Sequence, residues 1–230
     1  MSTSHRKDLP CAPGNRSGMA PDLANLIHRR RLLISLALKR VRPGSGSGPD
    51  LLRARTWRHP VFNLNAIVTI PFVVVGGVAT RLYSPERMTD DLDILVHAEN
   101  AERLADDLAQ AGAHFLGGLS IGGSQWRLPD GTLLDVLFSN EPWVEEALRA
   151  PVVAPDGLPV ISLPYLVLMK ILSSRGIDLG DLTRMLGGAD EHALYAVRSV
   201  IQTYAPDAVD DLESLIMLGR LEYEQDADHR

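Results

Sequence analysis

The chain has 230 residues and a formal net charge of −6, with 45% hydrophobic and 23% charged residues, which is the balance of an ordinary globular protein. Its length suits one domain of good size, or a domain with a smaller one attached. The longest mostly apolar run near the start, residues 32–38, is too short to span a bilayer, and it has neither the cleavage site nor the position of a signal peptide. The single cysteine, Cys11, excludes an internal disulfide, so we expect a cytoplasmic protein without a membrane partner.

The charges are unevenly distributed along the chain. Residues 1–60 contain twelve Lys or Arg against three acids, whereas residues 61–230 contain eleven against twenty-six. Residues 21–41 have the apolar spacing of a helix, and a Gly/Ser-rich linker follows them. We therefore predict a basic, partly disordered N-terminal arm over 1–50, and removal of residues 1–48 is expected to leave a folded protein. Such an arm can contact a nucleic acid, cover an acidic cleft or remain solvated.

From residue 71 onward the pattern predicts a mixed α/β core. Strands and helices alternate in the order strand, helix, strand, helix, strand, strand, at 72–75, 78–83, 92–96, 100–111, 124–128 and 132–138. The last two strands form a hairpin. Further helices are predicted at 141–149, 163–174, 178–186, 190–204 and 207–220, with a short extended piece at 160–162. The expected fold is a small mixed sheet over 51–140, followed by a mainly helical part over 141–230.

Two aspartates alternate with apolar residues in the second strand. Side chains two apart on a strand point to the same face, so Asp91 and Asp93 lie side by side while Leu92 and Ile94 enter the core. Neighbouring carboxylates repel each other, and burial strengthens the repulsion. A divalent cation removes the conflict, and hard oxygen ligands favour Mg²⁺ or Mn²⁺. Taken alone, the pair also fits a solvated acidic strand edge.

The residues before this pair fit phosphate binding. Gly76 and Gly77 follow the first strand, where glycine lets the backbone approach a phosphate closely and the next helix adds positive potential. Arg87 is placed to contact a phosphate, and the hydroxyl of Thr89 is placed to hold the segment that leads into the second strand. Read separately, the glycines also fit a tight turn, and Arg87 and Thr89 also fit an exposed loop.

A third aspartate lies in the last strand of the hairpin. Asp135 is flanked on both sides by pairs of Leu or Val, and a lone acid in an apolar strand is costly unless it has a partner. Backbone donors are one way to satisfy it. A metal bound to Asp91 and Asp93 is another way, and the sequence order favours the metal.

This arrangement resembles the nucleotidyltransferase superfamily typified by polymerase beta. That family has a Gly-Gly or Gly-Ser pair, a helix, an Asp-apolar-Asp strand and a later Asp, which here stand as Gly76-Gly77, Asp91-Leu92-Asp93 and Asp135. The match covers roughly residues 70–140. Val78 departs from the pattern, because many members have Ser there. The resemblance implies that the three aspartates bind the metal.

A segment in the helical half resembles AbiEii-type proteins, which are bacterial toxin or abortive-infection nucleotidyltransferases. It has a Lys followed by Arg-x-x-Asp-x-x-Asp, which here are Lys170, Arg175, Asp178 and Asp181. The resemblance implies phosphate binding by Lys170 and a role for Asp178 at the nucleotide or acceptor. A Lys in an apolar helix also fits snorkelling to water, and the two aspartates also fit bracing of the next helix. Ile177 stands where the family usually has Lys.

The resemblance implies an Mg²⁺-dependent nucleotidyltransferase, with Mn²⁺ as an alternative, that transfers a nucleoside monophosphate from an NTP such as ATP to an acceptor hydroxyl. Asp135 is the expected general base, and Lys170 and Arg87 are the expected neutralising charges on the triphosphate. Two acceptors are open: tRNA or protein, for a toxin-like enzyme with a cognate antitoxin, or a small molecule, for an antibiotic-type adenylyltransferase. The rival is a non-catalytic relative that binds nucleotide or RNA, which the complete set of three carboxylates disfavours.

Overall fold

The computed structural model describes residues 27–28, 30–31, 33–34, 62–84 and 91–228. Within these ranges there are seven strands, which are β1 (Val73–Val75), β2 (Asp91–His97), β3 (His114–Gly118), β4 (Gly123–Arg127), β5 (Leu133–Ser139), β6 (Val152–Val153) and β7 (Pro159–Val160). From residue 62 onward the described residues form seven α-helices, which are α1 (Gly76–Thr80), α2 (Ala101–Gln110), α3 (Pro142–Arg149), α4 (Leu163–Ser173), α5 (Gly176–Gly187), α6 (Glu191–Tyr204) and α7 (Val209–Asp228).

All seven strands belong to one mixed sheet with the order β3-β4-β5-β2-β1-β7-β6. β2 pairs with β5 and β1 pairs with β7 in parallel, and the other neighbouring strands are antiparallel. The predicted α/β class, with a mixed sheet and a helical C-terminal half, is therefore confirmed. The short strands β6 and β7 follow residue 140, so the sheet extends beyond the core predicted over 51–140.

Two elements of the sheet were not predicted, and the first helix begins earlier than expected. β3 and β6 are exposed along almost their whole length, so they lack the period-two burial pattern by which strands are recognised. The helix predicted over 78–83 is observed at Gly76–Thr80. The glycine pair is therefore the start of a helix and does not form a separate turn between β1 and the helix.

The centre of the sheet is fixed by aliphatic side chains. Val73, Val74 and Val75 of β1 are completely buried, and Leu104 and Leu108 of α2, one helical turn apart, join the same core. Full burial of a Val or Leu side chain is worth about 1.5–3 kcal/mol. β1, which pairs with the strand that carries Asp91 and Asp93, is therefore held firmly in the core.

Four helices, α4 to α7, form the C-terminal half. α5 and α7 approach closely because Gly187 and Gly219 lie where they cross, and a Cβ atom on either glycine would overlap the backbone of the other helix. α4 packs on α6 and also contacts α1, which brings the helical half to the end of the sheet where β1 leads into α1. Within the described ranges no helix is long and apolar enough to cross a membrane.

Part of the basic N-terminal arm packs against the helical half. Arg30 and Ile34 belong to its described helical residues, and each is only 3% exposed. Arg30 Nε donates to Asp211 Oδ2 at 2.7 Å, and Arg30 Nη1 donates to the carbonyl oxygen of Ile171 at 3.2 Å. Removal of residues 1–48, predicted to leave a folded protein, is therefore expected to cost stability, because apolar spacing does not reveal the surface against which a helix packs. The rest of the arm lies outside the described residues.

Arg30→Met is expected to lower the free energy of unfolding by about 3 kcal/mol, because it removes the buried cation that hydrogen-bonds to the buried carboxylate of Asp211. The neighbouring Arg31 is 54% exposed and lies 3.8 Å from the same carboxylate. Arg31→Met should therefore cost less than about 1 kcal/mol. Urea unfolding of the two variants beside the wild type measures the difference. Equal and small losses would show that the arm does not stabilise the helical half.

Candidate active site

Asp91 and Asp93 on β2 and Asp135 on β5 lie at one end of the sheet, the acidic end. The central apolar residues of β2, Leu92 and Ile94, point into the core, while Asp91 is exposed and Asp93 is partly buried. Because side chains alternate along a strand, both aspartates lie on the face opposite to these core residues. The burial of the apolar residues therefore determines the direction in which the two carboxylates point.

The parallel pairing of β2 with β5 places Asp93 directly beside Asp135. Adjacent strands lie about 4.8 Å apart, and residues in register project from the same face. Asp135 stands between Leu134 and Val136, which are both completely buried. Two carboxylates are thus held side by side by the apolar core of the sheet.

The glycine pair makes room for the carboxylate of Asp93. β1 pairs with β2 so that Val75 lies opposite Asp93, and Gly76 follows directly with a positive φ of 64°. A Cβ atom on Gly76 would overlap the carboxylate of Asp93, so both the space and the backbone conformation require glycine. The backbone N–H of Gly77 donates a hydrogen bond to this carboxylate. In this structure the pair therefore contacts an acid, which phosphate-loop reasoning from the sequence did not predict.

Burial and neighbouring charges act on the ionisation of Asp93. Burial, followed by the negative charges of Asp135 and Asp91, raises the pKa of Asp93 to about 6, against the opposing effects of the Gly77 N–H and the positive charge of Arg175. Ionisation of Asp93 therefore costs more free energy in the protein alone than ionisation of an ordinary aspartate does. A cation at this position would relieve both the desolvation and the repulsion.

Gln125 is a polar neighbour of this site that the sequence reasoning missed. It lies opposite Asp135 in the antiparallel pairing of β4 with β5, and its Nε2 donates to Asp135 Oδ1 at 2.8 Å. The predicted hairpin carried the signal, since pairing its strands around the turn at 129–131 aligns the two residues. A polar residue in a hairpin strand is common, however, and only the contact identifies this one.

Lys170 is buried in the helical half. It is 4% exposed, and its Nζ lies 3.0 Å from Asp178 Oδ1 and 2.7 Å from Asp181 Oδ2. The two aspartates stand three residues apart on α5 and so share one face of that helix. The ammonium group neither snorkels to water nor stands free for a phosphate, because two carboxylates already surround it.

Arg175 connects this buried group to the acidic end of the sheet. Its Nε donates to Asp178 Oδ2 at 2.7 Å, yet its side chain is 67% exposed, and its positive charge acts on Asp93. Although burial alone would raise the pKa of Asp178, hydrogen bonds from Arg175 and Ser173 and the charge of Lys170 hold that pKa below its ordinary value. Asp178 is therefore ionised and holds Arg175 beside the acidic cluster, which consists of Asp91, Asp93 and Asp135.

The donor set suits a hard divalent cation by its chemistry. Asp91, Asp93 and Asp135 supply only carboxylate oxygens, which Mg²⁺ and Mn²⁺ prefer. As the described side chains stand, no three acidic, His or Cys residues lie close enough together to hold a metal ion. The fit therefore rests on the donor chemistry and on the unrelieved repulsion at Asp93. Two further predicted site residues, Arg87 and Thr89, lie outside the described residues.

Among known proteins, solved structures alone give matches to this chain, and their sequence identity to it is low. No family model and no curated protein matches the chain. Among solved structures, ANT(2'')-Ia in complex with adenylyl-2''-tobramycin is 18% identical with a TM-score of 0.38, over 67% of this chain and 89% of the other. The solution structure of the antibiotic-resistance factor ANT(2'')-Ia is 15% identical with a TM-score of 0.38, over 91% and 100% of the two chains.

A third similar structure is the complex of a CCA-adding enzyme with CTP. It is 13% identical with a TM-score of 0.32, and the match covers 90% of this chain and 54% of that one. Similarity at this level does not define a family or an activity. The resemblance to AbiEii-type proteins, a tRNA acceptor and an antitoxin partner therefore stay predictions.

Asp93→Asn is expected to stabilise the metal-free protein at pH 7.5 by about 1–3 kcal/mol. The folded-state pKa of about 6 lies above the ordinary aspartate value of 3.8, so the contribution of Asp93 to stability is complete below about pH 4 and is lost as the pH rises through 6. Asn cannot ionise and avoids that loss, so the two proteins should be equally stable at pH 4. Thermal unfolding in chelator-treated buffer at both pH values measures the difference. A variant less stable than the wild type at pH 7.5 would contradict the repulsion at Asp93.

Proposed function

We propose that the chain is an Mg²⁺-dependent nucleotidyltransferase that transfers a nucleoside monophosphate from an NTP to an acceptor hydroxyl. The observation that carries the proposal is the strand register, which places the carboxylates of Asp93 and Asp135 side by side. A purely structural acid is normally placed beside a donor or a cation. Here the two acids also lie beside each other, although each accepts a hydrogen bond, and a glycine at 76 makes room for one of them. Perturbed carboxylates of this kind are typical of functional sites.

The proposed reaction assigns separate tasks to the residues of the site. Bound at Asp91, Asp93 and Asp135, divalent cations would acidify the acceptor hydroxyl and neutralise charge on the triphosphate. The acceptor oxygen forms its bond to the α-phosphorus while the bond from that phosphorus to the bridging oxygen breaks, and pyrophosphate leaves. Asp135 would accept the hydroxyl proton, and Asp91 and Asp93 would hold the cations. A protein that only binds nucleotide or RNA has no need for this set of acids.

We assign charge neutralisation on the triphosphate to Arg175 in place of Lys170. Arg175 is largely exposed and its charge reaches Asp93, whereas Lys170 is buried between Asp178 and Asp181. Guanidinium groups suit phosphates because they form paired, charge-assisted hydrogen bonds. Lys170 and Asp178 then act by holding Arg175. Arg87, with Thr89, stays a second candidate for phosphate contact, as do the backbone amides of the glycine pair.

Replacement of any one of Asp91, Asp93 and Asp135 by Ala should lower the rate of transfer by more than about a hundredfold. Loss of a metal ligand itself should exceed the ten- to hundredfold loss that follows removal of a group supporting a ligand. The assay uses each α-phosphate-labelled NTP with Mg²⁺, and separate arms supply total tRNA, a protein extract or an aminoglycoside. Asp130→Ala is the control, since that carboxylate bonds Thr132 within an exposed turn.

The arm in which label is transferred identifies the acceptor. Wild-type protein that labels no acceptor with any NTP would refute the proposed activity. Asp93→Ala protein that keeps the wild-type rate would refute the role of the acidic cluster.

Arg175→Met should weaken NTP binding about ten- to a hundredfold, since a hydrogen bond to a charged group is worth roughly 1.5–3 kcal/mol. Lys170→Met should instead lower the free energy of unfolding by about 3 kcal/mol, because Asp178 and Asp181 lose their shared buried cation. Calorimetric titration of NTP with Mg²⁺ and urea unfolding measure the two effects separately. A Lys170→Met protein of normal stability with weakened NTP binding would return the phosphate contact to Lys170.

A further inference from the structure

Each of the two adjacent carboxylates receives a hydrogen bond from the element on its outer side. Asp93 accepts from the backbone N–H of Gly77, which follows β1. Asp135 accepts from the side chain of Gln125 on β4, with a distance of 2.8 Å between Gln125 Nε2 and Asp135 Oδ1. In the sheet, β1 and β4 flank the β2–β5 pair on opposite sides. The two acids are thus held by donors on their outer sides while they adjoin each other on the inner side.

We propose that Gln125 is a positioning residue for the metal site: its amide holds one oxygen of Asp135 so that the carboxylate is oriented for a divalent cation shared with Asp93. The inference rests on the proposed function. Gln125 is partly buried beside Asp135, and the strand register rather than a flexible loop sets its place. Outer groups of this kind orient metal ligands and tune their affinity.

The chemistry of the amide suits this role. A Lys or Arg at position 125 would neutralise Asp135 and compete with the metal, and an acid would add repulsion without donating a hydrogen bond. A neutral amide donates a hydrogen bond and leaves the charge of the carboxylate available to a cation. Gln125 therefore orients Asp135 without replacing the ion that the acidic cluster requires.

Gln125→Met tests the inference, because Met has a similar size and flexibility but cannot donate a hydrogen bond. Arg127→Met is the matched control, since Arg127 is exposed, lies on the same strand and, two residues along, faces the same side of the sheet. Calorimetric titration of Mn²⁺ into each full-length protein, without NTP or acceptor, measures metal affinity. Thermal unfolding in metal-free buffer measures stability.

Gln125→Met should weaken Mn²⁺ binding about ten- to a hundredfold with little change in metal-free stability, while Arg127→Met leaves both quantities unchanged. In an Asp135→Asn background the added effect of Gln125→Met should disappear, because the amide acts through that carboxylate. If Gln125→Met does not fold, Gln125→Asn, whose amide is one methylene too short, should give a smaller loss in the same direction.

Unchanged Mn²⁺ affinity in the folded Gln125 variants would overturn the inference while leaving the proposed function intact. A loss of the same size in the Asp135→Asn background would also overturn it, since the effect would not pass through Asp135. Wild-type protein that binds no Mn²⁺ would refute the proposed metal site, and the positioning role with it.

Discussion

Two carboxylates held side by side on parallel strands repel each other, and the surroundings of Asp93 and Asp135 are organised around that repulsion. The strands cannot separate to relieve it, because the residues that alternate with the acids form the core of the sheet. The neighbouring groups relieve it only in part. The Gly77 amide and the charge of Arg175 lower the pKa of Asp93, but burial and the neighbouring acids still raise it to about 6. The remaining conflict is what a divalent cation would resolve.

The helical half contributes to this site through a chain of buried charges. Lys170 joins α4 to Asp178 and Asp181 on α5, and Asp178 in turn holds Arg175 at the beginning of α5. The N-terminal arm braces the same helices, because Arg30 bonds Asp211 of α7 and the carbonyl oxygen of Ile171, next to Lys170. Buried ion pairs of this kind add little net stability compared with apolar packing. They do specify one arrangement of the side chains, and here that arrangement places the guanidinium group of Arg175 beside the acidic cluster.

The features that the sequence predicted are those with a strong local pattern. The alternation of aspartate with leucine and isoleucine in β2 identified the strand and the face of both acids, and the glycine pair identified the end of β1. β3 was missed because its exposed side chains have no periodicity. The roles of Gln125, Lys170 and Arg175 depend on contacts between residues 3 to 82 positions apart. Spacing along one helix or strand does not show such contacts, so Lys170 fitted both a phosphate contact and a snorkelling side chain.

The most direct test of the metal site is anomalous diffraction from crystals soaked in Mn²⁺. The repulsion between the carboxylates predicts an anomalous peak in contact with Asp93 and Asp135, at the end of the sheet where Gly76 makes room for the acid. The same soak of Asp93→Asn crystals should weaken or remove the peak. Well-ordered crystals that show no peak at this position, or a peak elsewhere only, would contradict the assignment of these aspartates as metal ligands.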